Sequence, residues 1–326
     1  MEYICGFTFA PFCGAGVLNS ASAKESLKQM QERTGADFVI FAPNGVQKNA
    51  HSEEICYTSE ATMTDEELVE MIAYAKELGL RVALKPTANC ADGTWRAFIS
   101  FFDYDVVCEA KWSNWFPSYT AFQLHYAKIA EKTGCEIFIA GCEMVMTEHR
   151  EKEWRKLISD IKEVYHGLVS YNTDKYQEEH VTWWDAVDVI SSSGYYPIHD
   201  WENQLDRIER VVKKYQKPFF FAEAGCMSVK DSNLVPNNWE VRGDVDLQGQ
   251  RDWYEAMFEA CEKRDWYEAM FEACEKRDWL KGMAFWSWNP KLPTREQALL
   301  MGDYEIYQKP AEQVVKEHFS QLTKSR

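Results

Sequence analysis

CEIFIAGCEMVMTE, residues 135–148, holds an apolar run, 137–142, that ends at Glu143. A second run, KPFFFAEAG at 217–225, follows the same plan, with Glu223 just past four consecutive apolar residues. Short apolar runs of this kind suit strands buried on both faces of a parallel sheet. In an eight-stranded β/α barrel the chemically active groups sit at the C-terminal ends of such strands. Glu143 and Glu223 are therefore the candidate catalytic pair. Strict alternation puts Ile137, Ile139, Gly141 and Glu143 on one side of their strand, with Gly141 leaving space behind the acid. It puts Phe219, Phe221 and Glu223 on one side of theirs.

The rest of the chain extends the pattern. Strand-like segments at 3–9, 37–42, 81–85, 136–141, 168–171, 187–191, 218–222 and 282–286 alternate with amphipathic segments at 21–33, 65–78, 118–132, 152–165 and 201–215. Thr64 has the character of a helix N-cap, and Gly35, Gly79 and Gly134 each follow a helical segment. Eight strands with helices between them predict an α/β protein, a closed (β/α)8 TIM barrel forming one domain over residues 1–326; a doubly wound open sheet gives a similar alternation. One segment breaks the rhythm: RDWYEAMFEACEK at 251–263 recurs unchanged at 264–276, in the region of the seventh barrel helix. Thirteen residues at about 100° each leave a rotation of about 220°, so the two apolar stripes point in different directions. One copy is expected to pack as the barrel helix while the other extends it or loops out.

Composition narrows the partners. The 326 residues are 46% hydrophobic, enough for a large core, and carry a net charge of −16, which argues against nucleic acid or an anionic membrane surface. A neutral or cationic substrate fits better. Thirteen Trp, 16 Tyr and 18 Phe supply flat apolar faces for gripping one. The ten cysteines show neither CxxC pairs nor zinc-site spacing, so no metal and no cofactor are expected. With no targeting segment or apolar run of membrane-spanning length, the expectation is a cytoplasmic protein. Oligomeric state is not legible.

Retaining hydrolysis of a glycoside needs one carboxylic acid to protonate the leaving oxygen and one carboxylate to attack the anomeric carbon, about 5–5.5 Å apart. The ends of barrel strands four and seven, which carry Glu143 and Glu223, face each other across the mouth and can meet that requirement. Other polar and aromatic groups fall on the same rim. Lys85 and Asn89, past the third strand, are candidate donors to sugar hydroxyls; Asn172 and Asp174 follow the fifth strand. Trp95, Trp112 and Trp115, read as parts of a long loop after the third strand, are candidates for outer sugar subsites.

GCE at the fourth strand, FAEAG at the seventh, LKPTAN with GTWR after the third, WSNWFPSY, SGYYP after the sixth and FWSWNP after the eighth together resemble glycoside hydrolase family 113. That family belongs to a large clan of retaining (β/α)8 hydrolases, and its characterised members act on β-1,4-mannan. The resemblance implies Glu143 as general acid/base and Glu223 as nucleophile. It implies Tyr195 as a hydrogen-bond partner of the nucleophile, and Trp286 or Trp288 as an indole floor beneath the sugar. Cys142 departs from the clan, where an asparagine commonly precedes the acid/base. The expected activity is therefore hydrolysis of β-1,4-mannosidic bonds in mannan or manno-oligosaccharides by double displacement. A β-glucan or other β-hexoside specificity on the same frame, or a non-catalytic carbohydrate-binding barrel, are the alternatives.

Overall fold

The computed structural model describes residues 1–101, 109–262 and 277–324. Eight strands, all paired in parallel, close a barrel in the order β1 (Ile4–Phe9), β10 (Leu280–Trp288), β9 (Phe219–Ala224), β8 (Val189–Gly194), β7 (Leu168–Thr173), β6 (Ile137–Cys142), β4 (Arg81–Leu84) and β2 (Phe38–Phe41). All eight expected strands are present, with ends shifted by a few residues. Around them lie α1 (Ala21–Thr34), α2 (Asp65–Glu77), α3 (Glu109–Thr133), α4 (Glu151–Val164), α5 (Trp201–Tyr215), α6 (Leu247–Glu262), α7 (Arg295–Leu300) and α8 (Pro310–Lys324). Thr64 caps α2 as its sequence suggests, in a reciprocal box with Glu67.

Two further strands, β3 (Asn44–Gln47) and β5 (Thr87–Cys90), form a separate parallel pair above β2 and β4. Pro43 and Pro86 mark the two breaks. A proline has no N–H to donate to a ladder, so the barrel strands end there and the chain resumes as a second, smaller ribbon. This extension carries Asn89 to the barrel mouth.

The barrel interior is filled by a compact cluster that includes Ile4, Phe38, Ile40, Ile137, Ile139 and Phe220, while a much larger apolar layer joins strands to helices. Closure of β10 on β1 depends on Gly282, paired with Ile4 at φ +111°: a Cβ there would lie 2.1 Å from the Ile4 carbonyl oxygen.

Strict alternation fails at both catalytic strands. Phe220 and Ala222 face the barrel interior, and Phe219 and Phe221 face the helices. The register of β8 against β9 then slips, Ser192 pairing with Phe221 but Ser193 with Glu223. This bulge inverts the parity and returns Glu223 to the inside. A comparable slip between Ile139 and Cys142 turns Gly141 outward, where a Cβ would lie 2.6 Å from the Tyr119 hydroxyl, and Cys142 inward. Gly141 thus makes room for the α3 side chains, not for the acid.

The third helix begins earlier than expected and runs through Pro117. The apolar contacts of Trp112, Trp115 and Phe116 with the barrel outweigh the proline's penalty. The first copy of the tandem repeat forms most of α6, with Trp253, Met257 and Cys261 buried as one stripe. The second copy, 264–276, lies outside the described residues.

Candidate active site

At the C-terminal mouth of the barrel, a cavity of about 330 Å³ is lined by Glu143, Glu223, Tyr195, Trp286, Trp95, Arg96 and Asn89, among others. Each carboxylate is held by its own set of donors. Glu223 accepts from the Lys85 ammonium at 2.5 Å and the Cys142 thiol at 3.2 Å on Oε1, and from the Tyr195 hydroxyl at 3.0 Å on Oε2. Glu143 accepts from Trp95 Nε1 and Arg96 Nη1, both at 3.2 Å, on Oε2, and from Ser193 Oγ at 2.7 Å on Oε1. A carboxylate oxygen from each glutamate and the Cys142 sulfur lie within 4.8 Å of one another.

The electrostatics separate the two acids' surroundings. Burial alone would push the Glu223 carboxyl up, but Lys85 and Arg96 outweigh it and hold the group below the ordinary glutamate range. Burial, reinforced by the Glu223 charge, pushes the Cys142 thiol well above its usual range, so its S–H remains available to donate. Tyr195 is likewise pushed well up, first by burial and then by the two glutamate charges, and stays a donor. Cys142, Glu143 and Glu223 are compact enough to grip a metal ion. Lys85 and Arg96 already supply the positive charge at that point, which opposes a cation there.

Glu143 sits at φ +53°, a left-handed conformation uncommon for a residue with a side chain. Its N–H donates to the Asn172 carbonyl at 2.7 Å, which fixes the chain as it turns off β6. Strain of this kind persists where surrounding contacts over-determine it.

The sequence candidates divide in two. Tyr195, Trp286, Trp95 and Asn89 reach the cavity, Asn89 also donating to Asn44 Oδ1 at 2.7 Å. Lys85 does not serve as a rim donor to hydroxyls: it is fully buried and committed to Glu223 and the Ala222 carbonyl. Trp288 is fully buried, packs on Phe7 and donates to Ser26 Oγ, because the slip near the end of β10 turns it to the helix layer. Trp112 and Trp115 are core residues of α3, not loop residues; Trp115 stacks on Tyr119 at 4.8 Å and donates to Gln47. Asn172 is buried below the cavity and donates to Ser193 Oγ at 3.0 Å, so it supports Glu143 through Ser193 and does not reach toward substrate.

Sequence reasoning passed over several cavity residues. Arg96 lay within the quoted GTWR motif without a role, and Ser193 carries no periodic signal. Phe12, Lys175, Trp239 and Tyr304 come from four separate loops.

A family model of glycoside hydrolase family 113 matches residues 7–268 and 262–309, the break falling within the tandem repeat. The chain belongs to glycoside hydrolase family 113. A GH113 β-1,4-mannanase of known structure is 51% identical, with a TM-score of 0.91 over 98% of this chain and 99% of its own. The GH113 β-mannanase AaManA from Alicyclobacillus acidocaldarius, solved in complex with ManMIm, is 40% identical, with a TM-score of 0.89 over 99% and 98%. A glycoside hydrolase family 5 mannosidase from Rhizomucor miehei, at 10% identity and a TM-score of 0.65, shares the barrel alone. No curated protein matches the chain. In this family 113 barrel, Glu143 and Glu223 stand at the ends of the fourth and seventh barrel strands.

Proposed function

We propose that the protein hydrolyses β-1,4-mannosidic bonds with retention, using Glu223 as nucleophile and Glu143 as general acid and then base. The observation that carries this reading is that an oxygen of each carboxylate lies within 4.8 Å of an oxygen of the other. Such an approach suits the close pair of a retaining enzyme, at about 5–5.5 Å, better than the roughly 6.5–9.5 Å that seats a water for inversion. Glu223, ionised and fixed by Lys85, Tyr195 and Cys142, attacks the anomeric carbon from below. Glu143 delivers a proton to the departing oxygen and then activates the water that releases the sugar. Trp286 offers its indole face to the bound sugar, and the Lys85 ammonium lies 5.6 Å from that ring. The mannan preference is supported by the two family 113 relatives described as β-mannanases.

The decisive experiment follows cleavage of mannohexaose and cellohexaose by NMR. β-Configured mannose products, lost on Glu223→Ala with the fold intact, are the expected result. An α-configured first product would remove the retaining mechanism. Preferred cleavage of cellohexaose would move the specificity to β-glucan, and binding without hydrolysis would favour a silent barrel. Among the described residues no helix is long and apolar enough to cross a membrane. Cytoplasmic action on short chains belongs to the same proposal, in keeping with the eight free thiols among the described residues; activity in the culture medium instead of in lysed cells would overturn it.

A further inference from the structure

We propose that Asp174 and Lys175 form the binding site for the sugar on the leaving-group side of the scissile bond. The inference rests on the hydrolase reading above. Both residues follow β7, next to β6 and its Glu143, whereas Trp286 and Glu223 stand on β10 and β9. The indole floor and nucleophile define where the attacked sugar lies. The departing sugar leaves from the proton donor, and the groups around Glu143 are those it meets.

Three observations place the pair there. Both residues line the same cavity as Glu143 and are buried, so they are built into its wall. The Lys175 ammonium lies 5.8 Å from the centre of the Trp95 ring, and Trp95 Nε1 in turn donates to Glu143 at 3.2 Å. Burial and then the nearby Glu143 charge push the Asp174 carboxyl above the ordinary aspartate range.

The pair is also uncommitted in a way that Lys85 is not. Among the described residues, the Lys175 ammonium makes hydrogen bonds only to the two Asp174 oxygens, both long at 3.3 Å. A carboxylate beside an ammonium complements a sugar diol, the first accepting hydroxyl protons and the second donating to hydroxyl oxygens. Trp95, edge-on to the half-exposed Trp239 at 5.7 Å, supplies the apolar face against which a pyranose ring rests. A neutral polyol substrate is what such a mixed polar and aromatic wall selects.

The test compares two substrates that differ only on the leaving side. Mannopentaose presents sugars there, and 2,4-dinitrophenyl β-mannobioside presents an aryl group. Lys175→Met and Asp174→Asn are expected to lower kcat/KM on mannopentaose at least ten-fold more than on the aryl glycoside, mainly through KM, with Lys175→Arg recovering part of the loss. Thermal unfolding of each variant checks the fold; if Asp174→Asn fails to fold, Lys175→Met carries the comparison. Equal losses on both substrates, or no loss on either, overturn the proposal. A wild-type protein that cleaves neither substrate fails differently, because it removes the hydrolase reading itself.

Discussion

The Lys85 ammonium, fully buried, donates a 2.5 Å hydrogen bond to Oε1 of Glu223. It comes from the end of β4, across the barrel from β9, so the nucleophile is set by a residue from a different part of the sheet. Removing one partner of such a pair leaves an uncompensated buried charge, which costs about 3–5 kcal/mol when no water reaches it.

Lys85→Met therefore raises the Glu223 carboxyl, since burial is then opposed only by Arg96 and by the remaining hydrogen bonds, the Cys142 thiol's among them. The acidic limb of the kcat/KM profile, which reports ionisation of the nucleophile, is expected to move to higher pH. kcat at the optimum should fall on the order of 100-fold. A pH–rate profile on mannotetraose checks this, and an unmoved acidic limb would detach Lys85 from the nucleophile's charge.

Trp112 and Trp286 are both tryptophans in rim-like sequence, yet they predict opposite phenotypes. Trp112 is buried against Phe101 at 4.8 Å and under the Arg150 guanidinium at 5.2 Å. Trp112→Ala should cost about 3–5 kcal/mol of stability, with kcat of the folded fraction nearly retained. Trp286→Ala should instead leave the denaturation midpoint close to wild type and weaken mannotetraose hydrolysis at least ten-fold. Urea unfolding and steady-state kinetics on both variants decide the matter.

Burial pushes two carboxyls, Glu148 and Glu305, up to about 8. A proton bound more tightly in the folded protein than in the unfolded chain stabilises the fold most below about 4.5, and that contribution is lost as pH rises towards 8. The melting temperature is therefore expected to fall between pH 6 and 9. Glu148 Oε1 accepts from Tyr171 and Thr173, and a glutamine oxygen can accept the same two bonds. Glu148→Gln should flatten part of the decline, so that the variant gains on wild type at pH 9. Parallel Tm curves across that range would contradict the assignment.

Gly79 and Gly282 both adopt positive φ, but only Gly282 has backbone against its missing side chain. Gly79→Ala meets nothing within 4 Å and should cost about 1 kcal/mol for the left-handed conformation alone. Gly282→Ala would drive a methyl into Ile4 and open the seam between β10 and β1. Loss of the cooperative unfolding transition is expected for Gly282→Ala and not for Gly79→Ala.

The barrel was legible because its causes are local and periodic. Apolar runs such as 136–141 and 218–222, alternating with amphipathic segments, dictate buried parallel strands wrapped in helices. Glu143 and Glu223 stood out by ending two of those runs, and Tyr195 and Trp286 by the family resemblance of SGYYP and FWSWNP. Only the tertiary structure decided which way the flanking residues turn. Register slips at β6 and β9 reverse the side-chain alternation, and a slip is a property of how two strands pair, not of either strand's composition. The same holds for Lys85, Trp112, Trp115, Trp288 and Asn172: each has the residue type of a binding group, yet neighbours distant in sequence bury it. Arg96 and Ser193 gained their role in the opposite way, through folding that brings two unremarkable loop and strand positions to one carboxylate. Sequence determined the frame and the two acids, whereas long-range packing decided what each acid touches.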